Sequence, residues 1–236
     1  TGMEALLRWR HPDLGTVAPM QFIPAAEETG LIVPIGKWVL LTACRQNVAW
    51  QRAGQAPLCM AVNLTPRQFA DENLLDDLAA ILAATGMDAQ LLELEISEGM
   101  LMRDVPKTMR ILTALKMMGV RIAIDDFGIG YSSLSNLRQF PLDTIKIDRS
   151  FIRDVASVDA DKALTEAIIA MGRTLSLTVV AQGVETKEQA EFLRRNACDE
   201  LQGFYFNKPV PAEQFGELLR SEWDASDGDD RAATIA

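Results

Sequence analysis

Seven short apolar runs, each followed by a longer stretch with helical spacing, limit what this chain can fold into. The runs are 3–9, 58–64, 91–97, 121–127, 144–148, 177–182 and 200–206. Between them lie helical stretches at 37–53, 66–85, 106–118, 160–175 and 187–196, with a final one from about 212 to 223. Thr65-Pro66 reads as a cap with proline at the first helical position, and Thr186 precedes Lys187-Glu188-Gln189 as a second start signal. Strand-then-helix alternation of this kind calls for a parallel sheet with helices outside. An open doubly wound sheet and a closed (β/α)8 barrel both fit it. A barrel needs one strand more than these seven. The chain opens on strand-like residues, so that strand is expected upstream of Thr1, in a longer protein from which this piece derives.

Polar residues at the strand ends separate the two folds. At or just after the C-terminal half of the runs sit Asn63, then Glu95 and Glu98, Asp125 and Asp126, Lys146 and Asp148, Gln182 and Glu185, and Gln202. The first run carries Glu4, early in it, and Arg8. In a barrel the carboxyl ends of the strands converge on one mouth, where active sites are built. In an open sheet the outer strands would have no common target. The converging set is rich in oxygen and lacks His and Cys, the donor chemistry of Mg²⁺, Mn²⁺ or Ca²⁺. Two adjacent aspartates at the end of a buried strand repel each other unless a cation sits beside them. Taken singly, each residue has a plainer explanation: Asp125-Asp126 as a turn, Asn63 as a helix cap, Glu95 and Lys146 as a core ion pair. Their common register is what the plainer account does not explain.

Composition excludes several function classes. The formal net charge of −10 argues against a long nucleic acid held through its phosphates. A small anion stays compatible, because a metal or a few basic groups reverse the sign inside one cleft. His11 is the one histidine, and before Pro12 it reads as a loop residue. A histidine-based zinc site or a Ser-His-Asp triad is therefore poorly supported. Cys44, Cys59 and Cys198 are odd in number and set in apolar surroundings, which suits free thiols in the cytoplasm, including the cytoplasmic part of a larger membrane-attached protein. The longest apolar run, 31–43, is broken by Pro34, Gly36 and Lys37, so direct membrane insertion is not expected. The polar tail, 224–236, reads as disordered and the rest, 1–223, as one domain.

At these residues the sequence resembles the EAL domain family, bacterial phosphodiesterases that hydrolyse cyclic di-GMP to linear pGpG. The resemblance runs from Met3 to about Leu219. It rests on EALLRW at 4–9, FIPAAEETG at 22–30, VNLTPRQF at 62–69, ELEISEG at 93–99, DDFGIGYSSL at 125–134, IKIDRSFI at 145–152, AQGVET at 181–186 and LQGFYFNKPVP at 201–211. It implies a TIM-like (β/α)8 barrel whose first strand, antiparallel to the others, would precede Thr1. It also implies a site with two Mg²⁺ or Mn²⁺ ions, at which Ca²⁺ binds and inhibits. Glu4, Asn63, Glu95 and Asp125 match the ligands of one ion. Asp125 bridges to a second, which Asp126 and the residue at Gln182 also serve. Lys146 matches the lysine near the hydrolytic water, and Gln202 the glutamine that orients water or substrate. Glu98 matches the glutamate that anchors the DDFG loop. Arg8 and, more weakly, Gln21 match substrate contacts; Asp148, Glu185 and Pro209 match positions around the pocket. Phe204 or Tyr205 is placed to stack on guanine or to pack in the core. Three positions depart from the family pattern: Ser97 for Thr, Ile129 for a small residue or Thr, and Gln182 for the usual glutamate. The last removes a negative charge from the second ion, which leaves open a receptor module that binds cyclic di-GMP and hydrolyses it slowly or not at all. An enolase-like barrel also pairs carboxylates with lysine and Mg²⁺, but the adjacent aspartates and the lack of a second lysine at a strand end speak against it. The resemblance further implies a homodimer, fused to sensory or GGDEF domains.

Overall fold

The computed structural model describes residues 2–130 and 137–225. Its frame is one parallel sheet of seven strands, in the order β1 (Gly2–Ala5), β4 (Cys59–Asn63), β5 (Leu92–Ser97), β6 (Arg121–Phe127), β7 (Thr144–Ile147), β8 (Thr178–Gln182) and β9 (Glu200–Gln202). Two further strands, β2 (Trp9–His11) and β3 (Gly15–Val17), form a separate antiparallel pair. Sequence neighbours in the sheet are spatial neighbours throughout, as a barrel requires and a doubly wound sheet does not. The sheet curls until its first and last strands face each other. The Gln202 amide nitrogen of β9 donates to Glu4 Oε2 of β1 at 2.7 Å, across a seam that no backbone ladder spans among the described residues. The result is a TIM-like half-barrel.

Period-two alternation sorts the strand residues. On β6, Ile122 and Ile124 are fully buried in the hydrophobic layer under the helices, while Arg121 lines the cavity inside the curl. Ile145 and Ile147 on β7 and Leu92, Leu94 and Ile96 on β5 join the same outer layer. The helix Ile32–Arg52 meets that layer through Leu40, Ala43, Cys44 and Val48, one apolar stripe at helical spacing. Gly36 on this helix is a clearance position: a Cβ there would lie 1.6 Å from the Gln68 amide nitrogen.

Several boundaries differ from the sequence reading for identifiable reasons. The first strand stops at Ala5 rather than residue 9. His11 Nδ1 accepts from the backbone N–H of Asp13 at 3.1 Å and of Leu14 at 3.3 Å, which makes the turn of the β2–β3 hairpin. The helix expected from residue 37 begins at Ile32, because Pro34 falls in its first turn, where a missing N–H costs nothing. The stretch 66–85 is two helices, Pro66–Phe69 and Leu74–Thr85. Asp71 accepts from the Asn73 N–H at 2.8 Å and turns the chain between them. A helix at Pro19–Thr29 had no counterpart in the reading; Pro24 inside it masks its signal. The final helix, Ala212–Ala225, runs two residues past the expected domain end, and the rest of the expected tail lies outside the described residues, as does part of the DDFGIGYSSL motif. No described helix is long and apolar enough to cross a membrane.

Candidate active site

The ends of β1, β4, β5, β7 and β9 place five polar side chains in direct contact. Glu4 Oε1 accepts from the Asn63 amide at 2.6 Å; its Oε2 accepts from Gln202 at 2.7 Å and from Lys146 Nζ at 3.2 Å. Lys146 also donates to Glu95 Oε1. Lys146 and Glu95 are buried, at 3% and 1% exposure, so this ion pair is shielded from water. Asp125 joins the ring from β6: Lys146 attracts it, and the Gln182 side chain lies beside it. Asp126 is exposed and sits at φ 53, a left-handed conformation uncommon outside glycine. Asp148 faces it, and spends one oxygen capping the helix Arg149–Arg153 through the Ser150 N–H at 2.8 Å.

Charge and burial set the protonation of the ring. Burial alone would depress the Lys146 ammonium, but Glu95, Glu4 and Asp125 outweigh it, so the lysine stays charged well above its ordinary range. Glu4 is pulled below its ordinary value: burial raises it, and the Lys146 charge with hydrogen bonds from Gln202 and Asn63 more than compensates. Asp126, exposed yet half enclosed by its neighbours, is pushed up to about 6 by that partial desolvation and by the charges of Asp125 and Asp148.

A resident divalent ion must be judged on these donors. Two buried carboxylate oxygens, Glu95 Oε2 and Asp125 Oδ1, have no hydrogen-bond partner. Such oxygens are costly without a cation or donor beside them. With Glu4, Asn63 and Gln182 they form the all-oxygen set that hard cations take. Among the described residues no three His, Cys, Asp or Glu side chains are gathered to metal-holding spacing; Lys146 holds Glu4 and Glu95 together instead. The donor chemistry fits a hard divalent ion, while the coordination shell is not closed.

The loop after β6 is held from below. Glu98 Oε2 accepts the backbone N–H of Gly128 at 3.1 Å and of Gly130 at 3.3 Å. Gly128 demands glycine, and Gly130 leaves little room for anything larger unless Glu98 moves. A Cβ at Gly128, which has φ +104, would reach the Phe151 ring at 2.7 Å, and one at Gly130 would meet the Glu98 carboxyl at 2.7 Å. Beside the ring opens a cleft of about 420 Å³ that Glu4, Arg8 and Pro209 line together. Arg8 is exposed and donates to the Leu7 carbonyl. Arg10 and Trp38 also line this cleft and were missed in the sequence; a second arginine two residues after Arg8 was the available signal for the first. Phe204 is 57% exposed, with Lys208 Nζ 5.8 Å from its ring centre. Gln21 is exposed on the helix Pro19–Thr29, and Glu185 is exposed beside the cap of the helix Lys187–Arg195. No side-chain bond joins Gln21, Glu185 or Phe204 to the ring among the described residues.

A profile described as "EAL domain" matches residues 1–209. The chain is 50% identical over 213 residues, 90% of its length, to the bifunctional diguanylate cyclase/cyclic di-GMP phosphodiesterase MucR of Pseudomonas aeruginosa, of which it spans 31%. It is 44% identical over 219 residues, 93% of its length, to the cyclic di-GMP phosphodiesterase NbdA of the same organism, spanning 28% of that protein. The chain thus spans about a third or less of these relatives. Among solved structures, the MucR phosphodiesterase in complex with c-di-GMP superposes with a TM-score of 0.88 at 50% identity, covering 91% of this chain and 87% of that one. The FimX EAL domain from Pseudomonas aeruginosa bound to c-di-GMP gives 0.81 at 25% identity, covering 88% and 83%. Fold and sequence agree: this chain belongs to the EAL domain family.

Proposed function

We propose that this chain is a divalent-metal-dependent phosphodiesterase module that hydrolyses cyclic di-GMP to linear pGpG. The observation that carries the reading is the buried ring at the strand ends, where one lysine sits among three carboxylates, two of which keep an unbonded oxygen. In the reaction, water adds to one phosphorus and the bond to the 3′ oxygen breaks. The 3′ oxygen takes up a proton, and the phosphate stays on the 5′ side of the linear product. Lys146 opposes the negative charge that grows on the phosphoryl oxygens, and does so inside a site shielded from water, where such an interaction is strongest. Glu4, Asn63, Glu95 and Asp125 would hold one Mg²⁺ or Mn²⁺ ion, and Asp125, Asp126 and Gln182 a second. Such ions, when bound, neutralise charge on the phosphoryl oxygens and lower the pKa of water they hold. Glu98 keeps the Asp125–Asp126 segment in place through the two glycine N–H groups. Arg8 meets substrate phosphate or base in the cleft that Pro209 also lines.

Incubating the protein with cyclic di-GMP and Mn²⁺, and separating the nucleotides by chromatography, tests this reading. Accumulation of pGpG supports it; tight binding with no product at saturating Mn²⁺ overturns it in favour of a receptor module. The observation that favours the receptor is Gln182, whose neutral amide lies beside Asp125 where a carboxylate would add charge to a second ion. Gln182→Glu is expected to raise turnover at limiting Mn²⁺ by about tenfold, of the order seen when ligand environments are altered. An unchanged rate would remove Gln182 from the metal argument. The proposal extends to a homodimeric module of a longer cytoplasmic signalling protein with sensory or GGDEF domains. The three free cysteines suit a reducing compartment, and the relatives' greater length suits a multidomain chain.

A further inference from the structure

TIM barrels usually fill their interior with branched apolar side chains. This one does not. Below the ring lies a cavity of about 240 Å³, lined by Glu93, Arg121, Thr144 and Thr178 at one end and by Glu95 and Lys146 at the other. Glu93 is buried, and one of its oxygens, Oε2, accepts both the Thr144 hydroxyl at 2.7 Å and the Arg121 Nε–H at 3.3 Å. Glu93 precedes Glu95 by two residues on β5, and Thr144 precedes Lys146 by two on β7. Both pairs therefore point into the curl, one level apart. They form two rungs that tie β5 to β7 across β6: Glu93–Thr144 below and Glu95–Lys146 above. Ala123, the inward residue of β6 paired with both Glu95 and Thr144, is small enough for side chains from either side to meet over it.

The lower rung matters because the backbone holds the upper one on one side only: β8 pairs Val180 with Lys146 in regular register, whereas the β6 side does not. The β6–β7 ladder pairs Ala123 with Thr144 and Ile124 with Ile145, then shifts register before Phe127 pairs with Ile147. The residues bulged out are Asp125 and Asp126, so beside Lys146 the regular pairing is lost. Thr144 and Ile145 are the last residues of β7 in regular register with β6 before that shift. Arg121 also neutralises Glu93, so the lower rung adds no net negative charge beneath Glu4, Glu95 and Asp125.

We infer that Glu93, Thr144 and Arg121 form a positioning network that sets the height of Lys146 against Glu95, and so the placement of the metal-holding carboxylates. The inference rests on the function proposed above, but its test is separable. Wild type, Thr144→Val, which removes only the hydroxyl, and Thr144→Ser, which restores it, are compared by Mn²⁺ titration calorimetry and by kcat and KM for cyclic di-GMP. Thr144→Val is expected to bind Mn²⁺ about tenfold more weakly and to lose about tenfold in kcat with KM within about twofold, and Thr144→Ser to recover both. Wild-type Mn²⁺ affinity in a folded Thr144→Val protein overturns the network. Should that variant not fold, Glu93→Ala is read by the same criteria, since it opens space in a lumen that is already polar. If wild type binds Mn²⁺ and makes no product, the calorimetric arm still decides the network, and only the phosphodiesterase reading falls.

Discussion

Lys146 is the residue on which most of the electrostatics converge. Its charge satisfies Glu4 and Glu95 in a place where neither could ionise cheaply alone. Lys146→Met would strip the counter-charge and hydrogen bond from Glu95, whose carboxyl burial already holds well above its ordinary range. We expect roughly 3–5 kcal/mol of destabilisation by urea titration in the absence of metal, and a kcat lower by about 10²–10³-fold where the fold survives. The cysteines give a separate check on the interior. Burial pushes Cys44 up to about 11, and Cys59 and Cys198 up to about 12, from 9.0. A thiol reagent at pH 8 should label the native protein far more slowly than the urea-unfolded chain. The linked stability is fully present below about pH 9 and is lost as pH rises through 11 to 12, because only the unfolded chain ionises freely in that window.

At the level of elements, the strands were the most legible part. Residues such as Ile122, Ile124, Ile145 and Ile147 alternate with polar ones strongly enough to locate β6 and β7 at once. What escaped were features set by single side-chain bonds. His11 turning the β2–β3 hairpin, Asp71 splitting one helix into two, and Pro24 tolerated inside another leave no periodic trace. The site divides the same way. Residues at strand ends were legible, because register alone aims Asn63, Glu95, Lys146 and Gln202 at one mouth. Glu93 and Thr144 were not, since one level lower they read as ordinary strand polarity. The loop after β6 offers a prediction at this scale. Glu98→Ala removes the acceptor for two backbone N–H groups, and should cut kcat by 10–100-fold, on the order of losses seen when groups supporting ligands are removed. Cyclic di-GMP affinity, read by titration calorimetry, should stay within about threefold if the glutamate acts only by holding Asp125 and Asp126.

For the molecule as a whole, net charge and ligand chemistry oppose each other. A chain at −10 attracts a dianion only through local positive charge, so its long-range field disfavours the encounter. Raising NaCl from about 50 to 300 mM should therefore leave the KM for cyclic di-GMP unchanged or lower it, since salt screens the repulsion. A steep rise in KM would show that exposed basic groups such as Arg8 and Arg10 dominate capture. The seam between β1 and β9 carries one more consequence. Glu4 and Gln202, which clasp it, are themselves residues of the mouth. Whatever grips them from within, ion or nucleotide, also staples the two free borders of the wall together. Occupancy should accordingly be readable far from the chemistry, as slowed deuterium uptake along both border strands: the lock on this door is its own cargo.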